Sequence, residues 1–491
     1  MDIKKMILEI VNTEQNNIRY SAVAIEKLVN TVIYDYIERQ GKEVFVNHRV
    51  GDKGPHTEYD IYAPDGLDDY VGRTVFDIKM VRHRMNYRRV IDHTVGRFAI
   101  QGEGIDNLII VLVGETSGNI KSTILHNSNL TFNLDIWDID KLVEICKRNI
   151  DLFLNVYENL SKYIIKDAIS EGIKRDIHTN AEKREKYLKQ LSGEYHNDNL
   201  VLFLGAGVSR DANISTWEAL ISELFVALIN KEMDTKDIKL TDADRDDIVA
   251  SIKNQNGYSP LLQIRFLRQG FEDNLENIVR EILYKRVKKT SDLLKEIVQL
   301  CVPNRGKTGI QAIINYNFDD LIEKHLENQR VKYRSIYSDG VKPNSDELGI
   351  YHVHGFLPQN KGDYENLAKS LLVFSEEGYH KLLLEPYNWA NMSQLNYLTN
   401  NTCLFIGLSM TDPNLRRLLD ISSQKNFDEN CTHYAILKRF TINENNDNDK
   451  IITFNKINEE LQESFFSELG INIIWVDNYN DIPELLNEIK K

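Results

Sequence analysis

Leu200-Val-Leu-Phe-Leu-Gly-Ala-Gly-Val-Ser-Arg210 couples a short apolar run to a glycine turn. Leu200 to Leu204 read as a buried strand, and Trp217-Glu-Ala-Leu-Ile221 opens a helix shortly after the turn. Strand, glycine turn and helix begin a nucleotide-binding α/β unit. The turn lets backbone N–H groups approach a pyrophosphate, and the helix N-terminus favours its negative charge. A Gly-x-Gly after a strand also serves as a plain βα turn. Segments further along the chain decide between the two.

Those segments are Ile313-Ile-Asn-Tyr-Asn-Phe-Asp-Asp320, Ile350-Tyr-His-Val-His-Gly355 and Cys403-Leu-Phe-Ile-Gly-Leu-Ser-Met-Thr-Asp-Pro413, each at the end of an apolar run. With the first turn they resemble, in order and character, the sirtuin family. The form with Asn-Phe-Asp-Asp-Leu-Ile-Glu and Gly-Leu-Ser-x-x-Asp-Pro is similar to the bacterial sirtuin-like NAD hydrolases of antiphage defence. The resemblance covers roughly residues 190–491. It implies a Rossmann-like, doubly wound α/β domain that takes NAD as its substrate.

The residue types suit that chemistry. A nicotinamide–ribose bond breaks through an oxocarbenium-like state, as other glycosidic bonds do. An asparagine can hold a water in attack geometry without adding charge. A histidine titrating near neutrality can take the proton. The resemblance assigns these roles to Asn317 and His354, and places Asp319 on the ribose side. Gly205, Ala206, Gly207 and Ser209 would face the phosphates, and Gly407, Ser409 and Asp412 would close the dinucleotide site. Plainer alternatives stand beside these. His352 and His354 stand close together at the end of a strand, and only one of them is expected to face the pocket. Asn315 can satisfy a turn, and Asp412 before Pro413 can cap the next helix.

Sirtuin deacylases carry a structural zinc on paired Cys-x-x-Cys motifs. Here Cys146, Cys301, Cys403 and Cys431 stand apart, at no metal spacing. No zinc is expected, and water rather than an acetyl-lysine becomes the expected acceptor. The reaction is then hydrolysis of NAD to nicotinamide and ADP-ribose.

The first third of the chain holds a separate constellation. Thr57-Glu-Tyr-Asp-Ile-Tyr-Ala63 and Arg73-Thr-Val-Phe-Asp-Ile-Lys79 read as hairpin partners. They bring together Asp60, Asp77 and Lys79, the last two on one face by the period of two. Two carboxylates and a lysine suit a divalent ion, Mg2+, that activates water for phosphodiester cleavage, with Asp60 and Asp77 as metal ligands. The pattern resembles the PD-(D/E)xK restriction-endonuclease fold. A helix over 22–40 offers Glu26, and a helix over 88–101 ends at Gln101. The buried strand Asn107-Leu-Ile-Ile-Val-Leu-Val113 completes that fold's order. An exposed salt-bridged edge would look alike. Arg82, Arg84, Arg88, Arg89 and Arg97, with Tyr87 among them, form a basic patch for nucleic acid or a solvated helix face.

Composition bounds the rest. At 491 residues more than one domain is expected, and a net charge of -14 excludes global steering toward nucleic acid. No apolar run nears the roughly twenty residues of a membrane helix, and residues 1–10 lack a signal peptide's apolar core. With unpaired cysteines, these features predict a cytoplasmic protein without membrane partners. The expected organisation is a PD-(D/E)xK-like α/β module over 1–149, a helical connector over 150–195, and the sirtuin-like domain over 196–491. Helical insertions fall at 217–300 and 361–400. The connector's stripe of Leu152, Val156, Leu160, Tyr163 and Ile164 suits a homo-oligomer, and a partner protein encoded nearby fits a defence role. The alternative is a metal-dependent nuclease whose sirtuin-like domain only binds a nucleotide. The missing cysteines disfavour a deacylase.

Overall fold

The computed structural model describes residues 2–12, 18–50, 57–81, 87–101, 104–114, 130–174, 177–215, 217–234, 241, 243–244, 247, 267–271, 274–288, 290–303, 309–370, 372–373, 382, 384–425, 433–439 and 449–491. The chain divides into two compact units, Met1–Lys174 with Asp447–Glu468, and Arg175–Asn446 with Leu469–Lys491.

The first unit is built on a five-stranded sheet in the order β1-β2-β3-β4-β5. These strands are β1 Phe45–Val50, β2 Thr57–Ala63, β3 Thr74–Val81, β4 Asn107–Gly114 and β5 Asn133–Trp137. The expected hairpin is present: β2 runs antiparallel to β3, with Ile61 opposite Phe76 and Ala63 opposite Thr74. β3, β4 and β5 run parallel. Every residue of β4 is buried, as a strand covered on both faces requires. Its side chains alternate between two cores. Ile109, Val111 and Val113 join the helices Ile3–Asn12 and Ile18–Glu38, whereas Leu108, Ile110 and Leu112 meet Ile91, Val95 and Phe98 of the helix Tyr87–Gln101.

The stripe expected to drive oligomerisation is turned inward. Leu152, Val156, Leu160, Tyr163 and Ile164 all pack on the first unit's core. The helix Leu160–Lys174 is joined by Asp449–Glu468, which the sequence places in the later domain. Gly172 permits that pairing, because a Cβ there would lie 2.7 Å from the Ile457 Cα. The remainder of the expected connector, Ile177–His196, belongs to the second unit.

The second unit holds a seven-stranded sheet in the order β12-β11-β10-β6-β7-β9-β8, parallel throughout. Its strands are β6 Leu200–Leu204, β7 Ile310–Asn315, β8 Tyr333–Ile336, β9 Leu348–His352, β10 Thr402–Ile406, β11 His433–Lys438 and β12 Ile471–Val476. All of β6 and β10 is buried. The chain leaves β6 toward β7 and returns on the other side as β10. The strand order reverses there, which opens a crevice beyond the carboxyl ends of the strands. Helices Ile177–His196, Asp292–Cys301 and Ile482–Lys490 contribute to the main core under this sheet. Helices Trp217–Asp234 and Leu275–Tyr284 build a smaller core with Leu357, and Phe318 packs on it. In the expected second insertion, Trp389–Asn400 is helical, and short helical turns stand at Lys361–Asp363 and Leu367–Lys369.

Candidate functional site

The turns after β6 and β10 meet backbone to backbone. The Gly205 N–H donates to the Ile406 carbonyl at 3.0 Å, and the Gly207 N–H to the Gly407 carbonyl at 2.9 Å. A Cβ on Gly205 would come within 2.5 Å of the Leu408 side chain and 2.7 Å of the Gly407 carbonyl oxygen. A Cβ on Gly207 would lie 2.7 Å from the Gly407 Cα. The glycines are therefore required for the contact between the two turns, whatever they do for a ligand.

Asn317, buried just past β7, sits over this junction. Its side-chain Nδ2 donates to the Gly205 carbonyl at 3.0 Å and to Ser209 Oγ at 3.2 Å. Its backbone N–H donates to Asn315 Oδ1 at 3.1 Å, so Asn315 satisfies the turn. Its carbonyl faces His352 Nδ1 at 3.2 Å. Among the described residues no protein donor is found on Asn317 Oδ1, which leaves that oxygen to accept from a water or hydroxyl. Ser209 is buried, and its hydroxyl also bonds Asp319. The side chain expected on the phosphates is thus engaged inside the protein.

Asp319 is fully enclosed, and burial pushes its carboxyl up to about 6 against the opposing effect of the Ser209 and Leu321 hydrogen bonds. Asp320 beside it accepts from Tyr284 Oη at 2.8 Å and from the Gln359 N–H at 3.2 Å, and pairs with Lys324 at 3.1 Å. Tyr284 ends an insertion helix, so this contact ties the insertion to the Asn317 loop.

His352 is the last residue of β9 and His354 lies in the turn that follows. Residues two apart share a strand face, so the end of the strand separates the two histidines, not alternation along it. His352 is completely enclosed, with Nε2 2.7 Å from Glu323 Oε1. His354 Nε2 lies 3.6 Å from Asp412 Oδ2, and the Tyr316 ring packs edge-on to the imidazole at 4.5 Å. Burial lowers the His354 pKa below its ordinary value, and the Asp412 charge partly offsets this. The imidazole is therefore neutral at pH 7 and able to accept a proton. Asp412 has two uses, since Oδ1 also caps the following helix by accepting from the Leu415 N–H at 2.7 Å. Ser409 is exposed and shares a 2.7 Å hydrogen bond with Thr411.

The structure brings Gly205, Ala206, Gly207, Ser209, Asn317, Asp319 and Gly407 into one junction. His354, after β9, and Asp412, after β10, form a pair although β6 and β7 stand between those two strands in the sheet. Sequence reasoning missed Glu323, which ends the quoted Asn-Phe-Asp-Asp-Leu-Ile-Glu run. It lies in the first turn of the helix Leu321–Asn328, just after Asp319 and Asp320. It also missed Asp320 and Tyr284, whose meeting depends on contacts far apart in sequence.

The N-terminal constellation is assembled differently from the expectation. Asp60, Asp77 and Lys79 do come together: the Ile78 N–H donates to Asp60 Oδ2 at 2.6 Å, and Lys79 Nζ lies 3.2 Å from Asp77 Oδ2. Arg97 pairs with the other Asp77 oxygen, and Thr94 bonds Oδ2 at 3.3 Å. Burial and the Asp77 charge push the Asp60 carboxyl up to about 6. Two cations already neutralise Asp77, and Asp60 is drawn toward its neutral form. As arranged, these residues do not fit Mg2+. No group of three or more acidic, His or Cys residues able to hold a metal occurs among the described residues, so Glu26 adds no third ligand. Arg88 and Arg89 are exposed, Arg82 and Arg84 lie outside the described residues, and so does the Gln101 side chain.

Comparison with known proteins bears on the later part of the chain. A profile of the SIR2-like domain family matches residues 311–469. The chain is similar to the NAD(+) hydrolase ThsA of Enterococcus faecium, 24% identical over 313 residues covering 62% of this chain and 58% of the relative. It is 25% identical to that of Bacillus cereus (strain MSX-D12) over 316 residues, covering 62% and 57%. For Cytobacillus dafuensis the figures are 24% over 318 residues, 63% and 56%. The chain thus spans a little over half the length of the curated relatives it matches. These likenesses support the sirtuin-like expectation for the C-terminal part. The PD-(D/E)xK likeness is not among them. No described helix is long and apolar enough to cross a membrane.

Proposed function

We propose that this chain hydrolyses NAD+ to nicotinamide and ADP-ribose in the crevice beyond β6, β7, β9 and β10. The observation that carries it is the Asn317 side chain, tied down at Nδ2 with Oδ1 left to accept, at a strand end next to that of neutral His354. Asn317 Oδ1 holds the attacking water. Its oxygen bonds the ribose C1′ as the bond to the nicotinamide nitrogen breaks. That nitrogen is cationic in NAD+ and takes the bonding pair, so nicotinamide leaves neutral and needs no acid. The water's proton passes to the His354 imidazole, and Asp412 stabilises the imidazolium formed. Asp319, Gly407 and Ser409 line the dinucleotide side. The relatives named as NAD(+) hydrolases support this reading. NAD+ turnover by the purified chain, with and without Asn317→Ala, tests it.

For the N-terminal unit we retain a PD-(D/E)xK-like module, on its order of helix, antiparallel strands, helix and parallel strand. The neutralisation of Asp77 by Lys79 and Arg97 favours nucleic-acid binding or assembly over metal-dependent cleavage. In an antiphage role, a trigger acting on this module or on a partner protein would release NAD+ hydrolysis. We infer that the insertion helices, which pack beside Phe318 and Leu357, act as the gate over the site. Homo-oligomerisation would then use a surface other than the connector stripe.

A further inference from the structure

We propose that Glu323 and His352 are positioning residues for Asn317, acting through its backbone carbonyl. The proposal rests on Asn317 as the residue that holds the attacking water. Glu323 is fully buried in the first turn of the helix Leu321–Asn328. A buried carboxylate is costly unless paired and hydrogen-bonded. Its Oε1 meets His352 Nε2 at 2.7 Å and accepts from Ser335 Oγ at 3.0 Å.

The far side of the imidazole sets the geometry. Nδ1 faces the Asn317 carbonyl at 3.2 Å. A carbonyl only accepts, so Nδ1 must carry hydrogen. A flipped ring would place carbon–hydrogen groups against both oxygens. The Phe356 ring, 4.1 Å away centroid to centroid, packs against the imidazole. The ring orientation is therefore set by Glu323 on one side and by Asn317 on the other, as carboxylates orient histidines at metal and catalytic sites. The chain of contacts runs Ser335, Glu323, His352, Asn317, Gly205, and links β8 through β9 to the glycine turn. It fixes the Asn317 backbone, while Gly205 and Ser209 fix its side chain. Small displacements of a group that orients a nucleophile cost rate more than binding.

A core-filling histidine and a positioning one respond differently to substitution. His352→Leu fills the space but donates nothing. His352→Asn is smaller but keeps an N–H near the place of Nδ1. NAD+ turnover by the full chain, under conditions where wild type is active, separates them. We expect His352→Leu to lower kcat by about 10- to 100-fold with KM within about 3-fold. His352→Asn should recover most of that loss even if it unfolds at a lower temperature. Equal loss in both variants, or kcat following thermal stability, overturns the proposal. If His352→Leu does not fold, Glu323→Gln carries the same comparison: a fall in kcat at near-constant KM supports it, and wild-type kcat overturns it. Asn317→Ala distinguishes the two levels. Wild-type turnover in that variant overturns the hydrolase assignment and the positioning with it. Loss of turnover there, beside wild-type kcat in His352→Leu, overturns the positioning alone.

Discussion

Gly207 and Gly407 touch backbone to backbone, the N–H of one on the carbonyl of the other at 2.9 Å. Neither has room for a methyl group. A Cβ on Gly407 would lie 2.6 Å from the Val208 nitrogen, and Gly407 has a φ of 68°. Gly207→Ala and Gly407→Ala should each destabilise the chain by about 1–3 kcal/mol and weaken NAD+ binding. Gly193, on the exposed side of a helix with nothing within 4 Å of an added Cβ, is the control. Gly193→Ala should stabilise by about 0.5–1 kcal/mol. Urea unfolding of the three variants checks the contrast, and equal effects would contradict it.

The His354–Asp412 pair predicts a pH dependence with a definite sign. The neutral imidazole is the active form, so kcat/KM should fall as pH drops through the His354 pKa, which burial places below the usual histidine value. Asp412 raises that pKa, so Asp412→Asn should move the acid limb to lower pH. It should also lower kcat, because the imidazolium formed in the reaction loses its partner. An acid limb that stays in place or moves up in Asp412→Asn would rule out this coupling.

Asp319 trades stability for its place in the site. Its folded-state pKa, about 6, lies above the unfolded value, so it is favourable to folding only while protonated. That contribution is complete below about pH 4 and is lost as pH rises through about 6. Asp319→Asn has no such loss. Its stability relative to wild type should rise between pH 4 and pH 8, by on the order of 2 kcal/mol, while NAD+ turnover falls. A stability difference that does not change with pH would contradict the buried-carboxylate account.

In the first unit, the neutralised Asp77 predicts indifference to divalent ions. Thermal unfolding should be unchanged by millimolar Mg2+ or Mn2+. Asp77→Ala leaves Lys79 and Arg97 without their carboxylate, and should destabilise by about 3 kcal/mol. NAD+ turnover per folded molecule should persist. A metal-dependent rise in unfolding temperature that vanishes in Asp77→Ala would restore the metal site.

What was legible in the sequence followed from covering. β4, β6 and β10 are enclosed on both faces, and their unbroken apolar runs announce it. β1 and β8 are edge strands of mixed polarity, Phe45–Val50 and Tyr333–Ile336, and gave no such signal. The helix Asp449–Glu468 shows why domain assignment is harder than element assignment. An amphipathic pattern says that a face is buried, not against which core, and the Gly172–Ile457 approach exists only in three dimensions. In the site, the strand-end motifs were visible because glycine, asparagine and histidine stand at fixed offsets from the strands. The links His352–Glu323 and Tyr284–Asp320 were not, because each joins segments with no shared periodicity. Asp77 and Lys79 were placed on one face correctly. Arg97, counted among residues for nucleic acid, instead turns back onto Asp77.

The most direct measurement is NAD+ hydrolysis by wild type and His354→Ala, compared under the condition that gives wild-type turnover, with nicotinamide and ADP-ribose quantified and NAD+ affinity measured alongside. The account predicts equimolar products from wild type. It predicts a loss of about two to four orders of magnitude in kcat for His354→Ala, with affinity largely kept. Wild-type turnover in His354→Ala would contradict it.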